Sequence, residues 1–116
     1  MIKNQLIYVA HPFGGDKANK YSIDTIMGNL VMLDKNNTYL SPLHNFSMLY
    51  FDTQYSKGLK ICLDMLNKCD ALVLCGEWET SKGCIGEWSF AIAKGMPIYT
   101  WKEWTDKLKE QGDNSR

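Results

Sequence analysis

Three clusters of side chains in this 116-residue chain have types and spacings that can do chemistry. The first is Tyr8-Val9-Ala10-His11-Pro12-Phe13-Gly14-Gly15-Asp16, where an apolar run meets a proline and a glycine pair. A strand that turns through glycines into a helix can aim unpaired N–H groups and the positive end of the helix dipole at an anion. His11, Pro12, Phe13, Gly14 and Gly15 are therefore candidate ligand contacts. The cluster is neither G-x-G-x-x-G nor a P-loop, because no Gly-Lys-Ser/Thr occurs. A tight turn that needs glycine's conformational range fits the same residues. Tyr8 fits the core, or a hydroxyl pointed into a site from the end of a strand.

The second cluster is Gly76-Glu77-Trp78-Glu79-Thr80-Ser81-Lys82-Gly83-Cys84-Ile85-Gly86-Glu87, between an apolar run and an amphipathic stretch. Ser81 and the amides around Gly83 fall where a helix begins, which suits a phosphate. Gly76 and Trp78 belong to the same loop. Glu87 lies further into the helix and is expected half-buried near the strand ends. A carboxylate there can attack a sugar carbon or stabilise a cationic sugar transition state. A solvated glutamate that favours the helix start is the other reading.

The third cluster is Asp64, on a helix, and Asp70, opening a strand. Asp70 suits a turn or cap, and Asp64, one step from the apolar stripe, suits a surface charge as well as a site. Trp78 and Trp88 can stack on a base, although tryptophan more often fills a core or an interface.

The elements that must position these groups follow from periodicity. Leu6 to Ala10 and Ala71 to Cys75 are continuous apolar runs, which marks strands buried on both faces. Asp16 caps a helix carrying Tyr21, Ile23, Ile26, Met27, Leu30 and Val31 to about Lys35. Thr38 to Leu40 suits a short strand, and Ser41 to Phe51 a long loop. Asp52 or Thr53 can cap a second helix with Leu59, Cys62, Leu63 and Leu66 inward. A third helix presents Ile85, Trp88, Ile92 and Ala93 and closes at Gly95. Pro97 to Tyr99 reads as a strand. Thr100 and Glu103 form a capping box for a last helix, and residues 112–116 are expected as a frayed tail after a single domain over 1–111.

Strand–helix alternation of this kind predicts an α/β fold, a flavodoxin-like or Rossmann-like doubly wound sheet of four or five parallel strands. Ligands of such sheets bind beyond the carboxyl ends of the strands, where strand order reverses. At 13.3 kDa the chain suits one domain and should bury roughly 65% of its unfolded surface. Thirteen basic and thirteen acidic residues give no net charge, which argues against a nucleic-acid polymer as partner. The first apolar run is too short for a signal sequence or a membrane span. Four cysteines without a C-x-x-C pair, and two histidines, argue against a zinc site and for buried thiols in the cytoplasm. No cofactor is implied.

Four stretches together resemble the nucleoside 2-deoxyribosyltransferase superfamily, and within it a small branch found in bacteria and bacteriophages. They are Tyr8 through Gly15, Cys69-Asp70-Ala71-Leu72-Val73-Leu74, Gly76-Glu77-Trp78-Glu79-x-Ser81-x-Gly83-x-x-Gly86-Glu87, and Ala91-x-Ala93-x-Gly95-x-Pro97. The resemblance covers residues 5–100. It implies a flavodoxin-like sheet, a homodimer or higher homo-oligomer, and cleavage or exchange of the N-glycosidic bond of a nucleoside or nucleotide. By the same resemblance Glu87 is the nucleophile, Tyr8 positions it, and Ser81 contacts a 5′-phosphate.

The superfamily's helix acid, eight residues before the strand-opening aspartate, falls on Cys62, with Asp64 two residues on. Two residues turn a helix by about 200°, so Asp64 cannot simply replace that acid. His11-Pro12 also stands where the superfamily has small residues. Two readings follow. One is an enzyme with Glu87, Tyr8 and Asp64 as catalytic candidates. The other is a non-catalytic binder that sequesters a nucleotide signal, ADP-ribose-type or cyclic, as a phage protein might need against host defence. A plain structural domain is a third.

Overall fold

Strand β1 (Leu6–Ala10) forms because five apolar residues run without a break, and its neighbours bury it on both faces. A computed structural model describes residues 3–13, 16–46 and 55–114. After β1 come α1 (Lys17–Leu33), β2 (Thr38–Leu40), α2 (Pro42–Phe46), α3 (Tyr55–Asn67), β3 (Ala71–Leu74), a 3-10 turn (Trp78–Thr80), α4 (Lys82–Lys94), β4 (Ile98–Thr100) and α5 (Trp101–Asn114). The four described strands form one parallel sheet in the order β2-β1-β3-β4. This is the doubly wound α/β architecture that the alternation predicts.

Side chains alternate across the sheet and so define two layers. Ile7, Val9, Ala71 and Val73 pack with Ile23 and Leu30 of α1, Leu43 of α2 and Trp104 of α5. Tyr8, Ala10, Leu72 and Leu74 face the other way, onto Leu66 of α3 and Cys84 and Ala91 of α4. Tyr8 and α4 therefore share a layer, and pleat parity decides it.

The helix ends follow their local chemistry. Asp16 caps α1 by accepting from the Ala18 N–H at 2.8 Å. Gly95 ends α4 in the left-handed region at φ 78°. Thr100 and Glu103 close the expected capping box on α5, at 2.9 and 3.2 Å. Asp70 accepts from the Leu6 N–H at 2.8 Å, tying the start of β3 to the start of β1.

Several expectations are corrected. Part of the stretch expected as a loop after Ser41 is helical, as α2. On α4 the face expected inward is partly turned out: Ile85, Ile92 and Ala93 are exposed, while Cys84, Glu87 and Ala91 are buried. A helix whose apolar residues cover most of its circumference has no unique inner stripe, so spacing alone misplaced its phase. Tyr21 and Val31 of α1 are likewise exposed. Helix α5 continues to Asn114, into the stretch expected as a tail. The expected caps Asp52 and Thr53 lie outside the described residues.

Candidate functional site

Strand order reverses between β1 and β3, because the chain leaves β1 for β2 on one side and returns to β3 on the other. A crevice at their carboxyl ends is what such a reversal creates. The Cys75 N–H continues the ladder onto the Ala10 carbonyl at 2.9 Å, so the two strands stay paired up to the loops that follow.

Behind those loops the Tyr8 hydroxyl donates to Oε2 of Glu87. Both side chains are buried, Tyr8 completely and Glu87 to 5% exposure. Glu87 was expected half-buried; α4 instead turns it onto the sheet beside Cys84 and Ala91. Burial pushes its carboxyl up to about 7, and the Tyr8 hydrogen bond works against that shift. A buried carboxyl balanced near neutrality can serve as nucleophile when ionised and as acid when protonated. Tyr8 occupies one oxygen and fixes the direction of the other.

Ser81 is the N-cap of α4, its Oγ accepting from the Cys84 N–H at 3.3 Å. Its hydroxyl also hydrogen-bonds the Cys84 thiol, and the first turn of α4, which includes Gly83, begins beside it. Ser81 and Glu87 are separated by about 9 Å along the helix axis. Trp78 and Trp88 are half-buried, with ring centroids 5.9 Å apart at 43°. They form one aromatic surface running from the loop to the residue after Glu87.

The two strand-end loops touch at Gly76. Its φ is +63°, and a Cβ placed there would lie 2.9 Å from Nε2 of His11. Glycine is needed both for the backbone and for the space. His11 is held in turn by the Pro12 carbonyl at 2.7 Å and by Ser22 Oγ at 3.0 Å. A carbonyl only accepts, so Nδ1 carries a proton, and in the neutral ring Nε2 receives the Ser22 hydroxyl.

Not every candidate joins this group. Phe13 is buried in the opposite layer, among the residues under α1. Asp64 is exposed on α3 and paired with Lys60 at 2.9 Å, whereas Cys62 is buried. Gly14 and Gly15 lie outside the described residues, and Pro12 is half-buried beside His11. Among the described residues no three His, Cys, Asp or Glu side chains are grouped to hold a metal. All four cysteines are buried thiols, and burial pushes Cys75 and Cys84 up to about 12.

Sequence reasoning missed Ser22, which positions His11, and a chain on the other side of β1. There His44 bridges Asp24 of α1 and the buried Ser41, whose Oγ lies 2.8 Å from Nδ1. A histidine three residues after a serine was visible, but nothing in the spacing gave Asp24 as its partner.

This is a doubly wound α/β domain whose strand order switches between β1 and β3. The chain belongs to the family described as "Domain of unknown function (DUF4406)", whose model matches residues 5–100. No curated protein matches it. Among solved structures it is similar to a 2-desoxiribosyltransferase from Leishmania mexicana, at 24% identity and a TM-score of 0.58, over 83% of this chain and 63% of that one. It is also similar to a conserved protein from Enterococcus faecalis V583, at 22% identity and a TM-score of 0.67, over 83% of this chain and 62% of that one. The chain thus spans less than two thirds of the length of these two structures, and at such identities the likeness is one of fold.

Proposed function

We propose that the crevice binds a nucleoside 5′-monophosphate-like ligand and cleaves or exchanges its N-glycosidic bond. The observation that carries this reading is the buried Tyr8–Glu87 hydrogen bond behind a helix start capped by Ser81. The fold shared with a protein titled a 2-desoxiribosyltransferase supports it.

In this reading the ionised Glu87 oxygen not held by Tyr8 attacks the anomeric carbon. The carbon–nitrogen bond breaks, its electron pair leaves with the base, and the base takes a proton from water. Water then hydrolyses the glycosyl ester, or a second base displaces it and completes an exchange. Ser81, Gly83 and the first amides of α4 receive the phosphate. Gly76, Trp78, His11 and Pro12 border the ligand. The domain works in the cytoplasm as a homodimer or higher homo-oligomer, without a cofactor.

Incubation with each nucleoside monophosphate, followed by chromatography of free base, tests the reaction. Base released by the wild type and not by Glu87→Ala is expected; equal background from both overturns it.

One observation favours a second reading, a binder that holds a nucleotide signal intact. Cys62 is buried and Asp64 is exposed, so this part of α3 offers the crevice no carboxyl to protonate a departing base. Calorimetric binding with the ligand recovered whole would select that reading.

A further inference from the structure

A hydroxyl inside a helix ordinarily points to solvent or bonds the carbonyl four residues back. Thr25 of α1 does the second, donating to the Tyr21 carbonyl at 3.1 Å. Ser22 of the same helix is joined instead to Nε2 of His11, at 3.0 Å. Both residues are half-buried, so each meets water as well as the interior. His11 directly follows β1 at its carboxyl end. Glycine at 76 keeps the space beside Nε2 clear, since a Cβ there would lie 2.9 Å from that atom.

These bonds fix how the pair carries protons. Nδ1 donates to the Pro12 carbonyl at 2.7 Å and keeps its proton for that bond. A further proton therefore enters the ring at Nε2. It turns the Ser22 bond round: Nε2 becomes the donor and Ser22 Oγ the acceptor. The hydroxyl hydrogen of Ser22 is then free to go to an outside acceptor.

In the reaction proposed above, the phosphate meets the start of α4 and the sugar meets Glu87, which α4 carries onto Tyr8 of β1. Along that line the base falls on the β1 side. His11 stands about 10 Å beyond Tyr8 on that strand, at Cα. Asp24, the carboxylate two residues after Ser22, is already held by Lys20 and His44.

We infer that Ser22 protonates the departing base and that His11, acting through Ser22, recharges it, the pair standing in for bulk water. The inference rests on the Glu87 reaction. As the carbon–nitrogen bond breaks, its electron pair stays with the base. The base takes the Ser22 hydroxyl proton on a ring nitrogen, Oγ takes the proton from Nε2, and the ring is left neutral with Nδ1 still on Pro12. Water reprotonates Nε2 after release. The acceptor that fits is N7 of a purine, which is directed away from the sugar, whereas O2 of a pyrimidine lies against it.

Guanosine 5′-monophosphate and its 7-methyl derivative test this with the full chain, read by chromatography of free base. A methyl group on N7 already does what the proton does, so the methylated base leaves without one. Wild type is expected to release base from both, and Glu87→Ala from neither. Ser22→Ala and His11→Ala are expected to lose about 100-fold on the unmethylated nucleotide and less than about fivefold on the methylated one. Release from the methylated nucleotide also shows that each variant is folded. Ser22→Thr restores the hydroxyl and recovers most of the loss. The double variant loses no more than either single one, because the two act as a unit. Equal losses on both nucleotides, or no loss on either, overturn the relay and leave the Glu87 reading standing. A wild type that releases another base but no guanine does the same. Base released from no nucleoside monophosphate overturns both.

Discussion

The Tyr8 hydroxyl donates to the Glu87 carboxylate across 79 residues of sequence, inside a layer from which both are nearly excluded from water. Tyr8→Phe removes the donor and leaves a buried acceptor unmet, at a cost of about 1–3 kcal/mol. Because the hydrogen bond holds the carboxyl down against its burial, the Glu87 pKa should rise further. Urea denaturation reads the first effect, and the carboxyl carbon shift in an NMR titration reads the second.

Glu87 makes stability depend on pH with a defined sign. Its folded value of about 7 lies above the ordinary 4.5, so between these pH values the folded chain keeps a proton that the unfolded chain has lost. Stability therefore falls as pH rises through this window, by up to about 3 kcal/mol. Denaturation midpoints measured from pH 4 to 8 should show the fall in wild type and lose it in Glu87→Gln. If Glu87 is the nucleophile, base release follows the opposite course and climbs to a plateau above about pH 7.

Ser81→Ala carries two separable effects. Loss of the cap costs about 1 kcal/mol of stability. Loss of the hydroxyl donor should weaken a 5′-monophosphate by about tenfold, a net of roughly 1.4 kcal/mol, and leave the matching nucleoside unchanged. Calorimetry with the two ligands distinguishes a phosphate contact from a cap alone.

Gly76→Ala puts a methyl group against His11 on a backbone at positive φ. Destabilisation of about 1–3 kcal/mol is expected from strain and crowding together. His11→Ala in the same chain should recover the crowding part only, so a thermal-melt double-mutant cycle separates the two.

Asp64→Asn should leave both base release and stability within about 0.5 kcal/mol of wild type, because its partner Lys60 and its own side chain are exposed. A large loss of base release would return Asp64 to the reaction.

The fold was legible because its strands are unbroken apolar runs and its helices end on recognisable residues, Asp16, Gly95 and the Thr100–Glu103 box. Helix phase was less so. Cys62 and Leu66 of α3 turned inward as expected, since that helix has a single apolar side. α4 has apolar residues nearly all round, and only the position of the sheet decides that Glu87 rather than Ile85 faces in. Tyr8 and Glu87 could be named singly, but their contact depends on which way the pleat of β1 points. The Ser22–His11 and Asp24–His44 bonds depend on how α1 crosses the loop after β1 and helix α2, and no local pattern records that.

Both outer strands of the sheet, β2 and β4, are only three residues long. A ladder that short gives a neighbour's backbone few open donors and acceptors, and cross-chain strand addition starts from exposed edges of greater length. Copies of this chain are thereby steered away from fibre-like stacking.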